Sequence, residues 1–176
     1  MKVSHSHTEA TDALYMKVAL AEAKEAAAKG EVPVGAVVVG EGRVIGSDHN
    51  RREERQNPLC HAEVLAIGAA STYLQCWRLN ECDIYVTLEP CVMCVGAILQ
   101  ARIRRLVFGC LDPKAGAVES LYQLCDDERL NHRLPAVGGI MSTECASLLS
   151  QFFDRLRDKK REVQKAERWP SPAEGA

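Results

Sequence analysis

The 176-residue sequence has almost no excess charge of either sign: 22 lysines and arginines stand against 24 aspartates and glutamates, a formal net charge of −2. Bulk attraction to a polyanion is therefore excluded, and any grip on phosphates must come from local basic patches. No stretch of about 20 apolar residues occurs, so no membrane span is expected. No apolar run follows a basic start, so no export signal is expected either. Internal repeats and linker-like composition breaks are also lacking, and the length suits a single domain. A domain of this size buries roughly 70% of its unfolded surface and needs no disulfide staples. The eight cysteines are irregularly spaced. Without an export signal they read as reduced thiols or metal ligands, and a cytoplasmic location is expected.

The pattern of elements is legible in outline. Leu14, Val18 and Ala21, in an alanine-rich run, predict a helix over 12–29, with Thr8 or Thr11 as its cap and Gly30 at its end. Val34–Val39 reads as a buried strand, and Arg43–Ser47 returns across a Gly40-Glu41-Gly42 turn as a hairpin. A polar loop is expected over 48–59, a helix over 61–77, a strand over 83–88, an apolar helix over 91–101 and a strand over 105–109. Beyond a loop at 111–116, residues 117–133 read as partly helical, 136–140 as a short strand and 143–168 as a long amphipathic helix. Strands alternating with helices after a hairpin predict an α/β fold, a three-layer α/β/α sandwich around a mixed, roughly five-stranded sheet. Residues 1–10 and 169–176 are expected to be disordered tails flanking a single domain over 11–168, with His5 and His7 part of a frayed end.

Two segments carry chemistry. His61-Ala62-Glu63 opens one helix, and Pro90-Cys91-Val92-Met93-Cys94 follows a strand and opens another. Alone, a Cys-x-x-Cys pair is a redox dithiol, half of a structural zinc site, or two core thiols. Pro90 ends the strand and presets the dihedral that starts a helix. Cys91 and Cys94 then share one face near the helix start, where free N–H groups favour thiolate. Two thiolates and the His61 imidazole suit zinc, and three protein ligands leave a fourth position open for water. A carboxylate at Glu63, two places from a ligand, can shuttle protons to and from that water.

His-x-Glu followed by Pro-Cys-x-x-Cys resembles the signature of the zinc nucleobase deaminases. That resemblance implies one zinc per subunit and attack of activated water on the ring carbon that bears the amine. Glu63, which is not a ligand, would move the protons. Longer segments resemble the bacterial tRNA adenosine deaminases: Val32-Pro-Val-Gly-Ala-Val37, His49-Asn50-Arg51, Tyr85 through Cys94, Val107-Phe-Gly109, Asp112-Pro-Lys114, Leu130-Asn-His-Arg133 and Glu144-Cys145. This second resemblance covers about residues 10–160 and implies deamination of adenosine to inosine in tRNA, at the wobble position of the anticodon stem-loop, by a homodimer. By the same resemblance Asn50 contacts the nucleoside, and Val34, Ala62 and Pro90 shape the base pocket. Asp112 and Lys114, and further on Asn131, His132 and Arg133, would line the RNA groove. Glu119 departs from the pattern, standing where a small residue is expected. The remaining cysteines, Cys60 included, and also Trp77 and Phe108, read as core. Basic residues concentrate at Arg102, Arg104 and Arg105 and in 154–168, both candidates for phosphate contact.

Overall fold

The computed structural model describes residues 8–168. Most of both expected tails, 1–7 and 169–176, lies outside the described residues. Helix α1 (Glu9–Ala28) begins at the Thr8 cap, whose side chain accepts from the backbone N–H of Thr11. It is followed by β1 (Gly35–Gly40), β2 (Arg43–His49), the short α2 (Arg52–Arg55), α3 (Ala62–Leu74), β3 (Cys82–Leu88), α4 (Val92–Gln100), β4 (Arg105–Cys110), β5 (Ala136–Val137) and α5 (Ser142–Arg168).

The sheet runs β2-β1-β3-β4-β5. Strand β1 pairs antiparallel with β2 and β3, while β3, β4 and β5 are parallel, so the sheet is mixed and five-stranded as expected. The β1–β2 turn needs a left-handed backbone at Glu41 (φ 51°) and Gly42 (φ 73°), the geometry whose twist matches a tight hairpin.

Alternation along the strands assigns the layers. Ala36 and Val38 of β1, Ile84 and Val86 of β3, and Leu106 and Phe108 of β4 pack with α3 and α4. Val37, Val39, Tyr85 and Val107 point the other way, onto α1 and α5. Successive strand side chains face opposite sides, so an apolar run buried on both faces must sit between two helical layers. Each buried Val, Leu or Ile contributes roughly 1.5–3 kcal/mol to holding those layers.

Three details differ from the sequence reading. The inner face of α1 is Met16, Ala19, Leu20, Ala23 and Ala26, while Leu14 and Val18 are exposed. Close approach decides this: a side chain on Gly35 would meet the Ala19 carbonyl oxygen at 2.1 Å, so the helix must present its smallest residues there. Residues 117–133 hold only a 3-10 turn at Leu124–Asp126, because the backbone of this stretch bonds elsewhere, as shown below. Trp77 is solvent-exposed beneath the Arg78 guanidinium rather than in the core, whereas Phe108 is fully buried.

The arginine cluster is also spent internally. Arg105 makes a paired bond to the Asp12 carboxylate (2.8 and 2.7 Å), which also accepts from the Tyr85 hydroxyl. Arg104 pairs in the same way with Asp83 (2.9 and 2.9 Å), and Arg102 donates to Asn131. The first two bonds tie α1 to β4 and brace the β3–β4 edge, so two of the three arginines at 102–105 are paired with carboxylates of the chain itself. Among the described residues, no helix is long and apolar enough to cross a membrane.

Candidate metal centre

The two motifs meet at the carboxyl end of β3, the edge of a parallel sheet where α/β proteins build their sites. His61 is the N-cap of α3 and Cys91 the N-cap of α4, with Cys94 in the first turn of α4. Helix α3 is pressed onto the hairpin through Ala62, Ala66 and Ala70, all fully buried. A side chain on Gly46 would strike the Ala66 carbonyl oxygen at 2.4 Å. This close packing fixes where His61 and Glu63 begin.

The His61 Nδ1 atom lies 3.8 Å from the Cys91 Sγ and 3.4 Å from the Cys94 Sγ. These three residues form a group whose donor atoms converge closely enough to hold one metal ion. Their protonation states support the same reading. The hydrogen bond from the Cys94 thiol, aided by His61 and opposed by burial, pulls the Cys91 thiol down to about 3. The same hydrogen bond, together with burial, pushes Cys94 up, so the pair shares a proton. His61 is raised by its hydrogen bond to Cys91 and by the nearby Glu63. The pocket thus already stabilises sulfur anion against imidazole.

Glu63, 4% exposed, stands in the first turn of α3 with His61, Cys91 and Cys94 as its titratable neighbours. Burial raises its pKa above the ordinary carboxylate value. A carboxyl held this way keeps a proton more firmly than an exposed one, which suits a group that takes up and returns protons. Cys60 is buried and stands outside the converging group.

The other expected site residues fall into two sets. Asn50 is brought beside the centre: its N–H donates to the Val34 carbonyl (3.0 Å), and the next residue, Arg51, donates to the Cys60 carbonyl (3.0 Å). Its side-chain amide donates to the buried Glu31 (3.2 Å), which also accepts the Glu54 N–H (2.7 Å). A carboxylate only accepts here, so it fixes which end of the Asn50 amide faces away from it. Ala62 and Pro90 are buried against the ligands, and Pro90 accepts from the Ala117 N–H (2.9 Å). That bond brings the 112–120 loop in. Asp112 folds its own turn, accepting from the N–H groups of Lys114 and Ala115 (3.0 and 3.2 Å), and Lys114 is exposed.

Asn131, His132 and Arg133 are not brought to the centre. His132 donates through Nε2 to the Ile103 carbonyl (2.9 Å), at the far end of α4. Helix α4 spans nine residues, about 13 Å of axis, between that point and Cys91. Arg133 lies 3.6 Å from Asp126 and 3.5 Å from Glu128. Two surface grooves of about 550 and 580 Å³ lie along the α5 start and the β5 edge, and neither is lined by His61, Glu63, Cys91 or Cys94.

A second histidine cluster, Glu22, Asp48 and His49, is already closed by the chain's own cations. Lys29 donates to the His49 Nε2 (3.2 Å), His49 Nδ1 donates to Glu22 (3.0 Å), and Arg51 donates to Asp48 (2.7 Å). It therefore reads as a brace under Asn50 and not as a metal site.

Glu31 and Glu89 were not singled out by the sequence. Each adjoins a recognisable segment, but an isolated acid shows its role only once its partners are folded around it.

Comparison with known proteins agrees with this geometry. The MafB19-like deaminase family model matches residues 10–157. The tRNA-specific adenosine deaminase of Bacillus subtilis is 48% identical over 154 residues, covering 88% of this chain and 96% of the relative. The chain belongs to the tRNA-specific adenosine deaminase family. A second tRNA-specific adenosine deaminase, from Aquifex aeolicus, is 46% identical over 144 residues, covering 82% of this chain and 95% of its own. A solved structure from studies of A-to-I editing by tRNA:A34 deaminases at the wobble position is 44% identical. It superposes with a TM-score of 0.75 and covers 77% of this chain and 99% of its own.

Proposed function

We propose that this chain hydrolyses adenosine to inosine in tRNA, at the wobble position of the anticodon stem-loop, releasing ammonia. The observation that carries the reading is the buried Glu63 carboxyl set against a converging His-Cys-Cys group, in a chain whose relatives share almost its whole length. Residues 11–168 would form the single deaminase domain, working in the cytoplasm where its substrate is found.

The residues fit zinc, one ion per chain. Zinc–nitrogen bonds of about 2.0–2.1 Å and zinc–sulfur bonds of about 2.3 Å at a tetrahedral angle separate N from S by about 3.6 Å. The distances of 3.4 and 3.8 Å bracket that value. His61, Cys91 and Cys94 would hold the ion, which when bound makes water a nucleophile near neutral pH. Glu63 takes the proton of the attacking water on a carboxylate oxygen. It gives that proton to the ring nitrogen, then carries the remaining proton of the added hydroxyl to the amine, so that the C–N bond breaks with ammonia leaving and a carbonyl forming on the ring. Asn50, held by Glu31, and Val34 orient the nucleoside. Exposed Val92, next to Cys91, and exposed Leu111, Leu121 and Tyr122, on the segment after β4, suit cover by a second copy, which supports a homodimer.

Mass analysis of nucleosides after incubation with an unmodified tRNA pool should show inosine, while free adenosine remains unchanged. The fold also serves other bases: a guanine deaminase of Bacillus subtilis is 35% identical over 56% of this chain, with a TM-score of 0.54. Turnover of free guanine or cytidine, with tRNA left intact, would replace the present reading by that one.

The second half of α5 offers an RNA contact. Residues 153–165 are exposed, with Arg157 beside Asp154 and Arg161 3.6 Å from Asp158. Such exposed pairs hold only weakly and can yield to phosphates. Neutralising Lys159, Lys160 and Arg161 together should weaken tRNA binding and flatten its salt dependence by roughly 0.7–0.9 in log–log slope per lost contact. Zinc content should not change. Binding constants at several salt concentrations decide it; an unaltered slope makes this helix a solvated face.

A further inference from the structure

Between the sheet and the first sulfur ligand stands Glu89, a carboxylate outside the proton-transfer role. It is 2% exposed, yet among the described residues no lysine or arginine pairs with it. Its donors all come from one loop. Oε1 accepts the backbone N–H groups of Val118 (3.0 Å), Glu119 (2.7 Å) and Ser120 (2.9 Å). Oε2 accepts the Asp112 N–H (2.9 Å) and the Ser120 hydroxyl. Three successive N–H groups converging on one oxygen make an anion nest, and here the anion is part of the chain.

The loop cannot sit elsewhere while these bonds hold. A side chain on Gly116 would meet the Glu89 Oε2 at 2.2 Å, so the loop backbone lies directly on the carboxylate. Gly116 also forms a bridge with Cys91, and the Ala117 N–H donates to the Pro90 carbonyl (2.9 Å). Residues 89, 90 and 91 thus each hold the same loop, and Cys91 is a metal ligand. On the other side the loop displays Lys114 to solvent.

We propose that Glu89 is a positioning residue, whose carboxylate serves as an internal anion fixing the 112–120 loop at a set distance from the metal-binding turn. The base seated over the Cys91 turn and the strand that runs over Lys114 are then held in one register. This rests on the reading above that RNA is the substrate. A buried carboxylate without a cation is costly unless its hydrogen bonds are made. Closing the loop is what makes them, so carboxylate and loop order each other.

The test uses zinc-loaded protein. Glu89→Gln keeps the shape but turns one accepting oxygen into a donor, facing N–H groups. Backbone hydrogens of 112 and 118–120 should exchange about 10-fold faster, those of β3 and α4 unchanged. Zinc should stay at one per chain, and kcat/KM for an anticodon stem-loop should fall about 10-fold, chiefly through KM. Gly116→Ala drives the loop off from its own side with Glu89 intact and should reproduce all three results. Ser120→Ala, which removes one donor, should give a smaller change in the same direction. Unchanged loop exchange in Glu89→Gln overturns the proposal. So does faster exchange with unaltered kcat/KM for RNA, and so does loss of zinc, which would make Glu89 a support for the metal alone. Wild-type protein that leaves tRNA untouched sinks the substrate reading instead, and the exchange measurements still judge the loop anchor.

Discussion

Glu63→Gln should fold, keep its metal and bind RNA, yet deaminate at least about 100-fold more slowly, the usual scale of acid–base catalysis. The other titratable groups that act on Glu63, namely His61, Cys91 and Cys94, are the three residues that would hold the metal. No neighbour is left to carry the proton. Stability should hold or rise, because a buried acid is being replaced by a neutral isostere. Single-turnover rates, zinc analysis and a melting curve together make the check. A variant with near-native turnover would place the proton shuttle elsewhere.

Cys91→Ala should lose most of the metal and the activity with it. It caps α4 and lies within reach of His61, the cap of α3, so an ion held between them would join two helices. Metal at about a thousandfold above its dissociation constant stabilises a fold by roughly 4 kcal/mol. For a domain of this size that is a shift of about 10 °C. Chelator-treated wild type should melt where Cys91→Ala melts, and chelator should leave the variant where it was. The core between α1, α5 and the sheet holds none of His61, Cys91 and Cys94 nor their chain neighbours, and the other core is mostly strand and helix residues beyond them, so the variant should still fold. Elemental analysis that finds no zinc in carefully purified native protein would remove the catalytic reading altogether.

The centre was legible in the sequence because its chemistry is local. His61 and Glu63 are two residues apart, Cys91 and Cys94 three, and each pair needs only a helix start to aim it. The strands were legible because β1, β3 and β4 each hold a short run rich in β-branched and aromatic residues, Val37–Val39, Ile84–Val86 and Leu106–Phe108. What could not be read depends on partners distant in the chain. The inner face of α1 was set by Gly35, which selects alanine over the larger Leu14 and Val18. The basic run at 102–105 announced its charge but not Asp12 and Asp83, which consume two of its three guanidinium groups. Residues 117–133 looked partly helical, but the N–H groups of 118–120 bond to Glu89, 29 to 31 residues earlier.

The burial of the sulfur atoms has a consequence for damage. Cys60, Cys82, Cys110, Cys125 and Cys145 are buried. Burial pushes Cys82 and Cys125 up to about 11 and Cys145 to about 12, and raises Cys110. Oxidants attack thiolates, so these four are close to inert at neutral pH. Cys76 is exposed on a turn after α3, away from the ligands. An oxidant arriving from solvent therefore meets a dispensable sulfur at Cys76 and a reactive one at Cys91. Oxidative loss of activity would begin as release of the metal, in a protein whose fold is still intact.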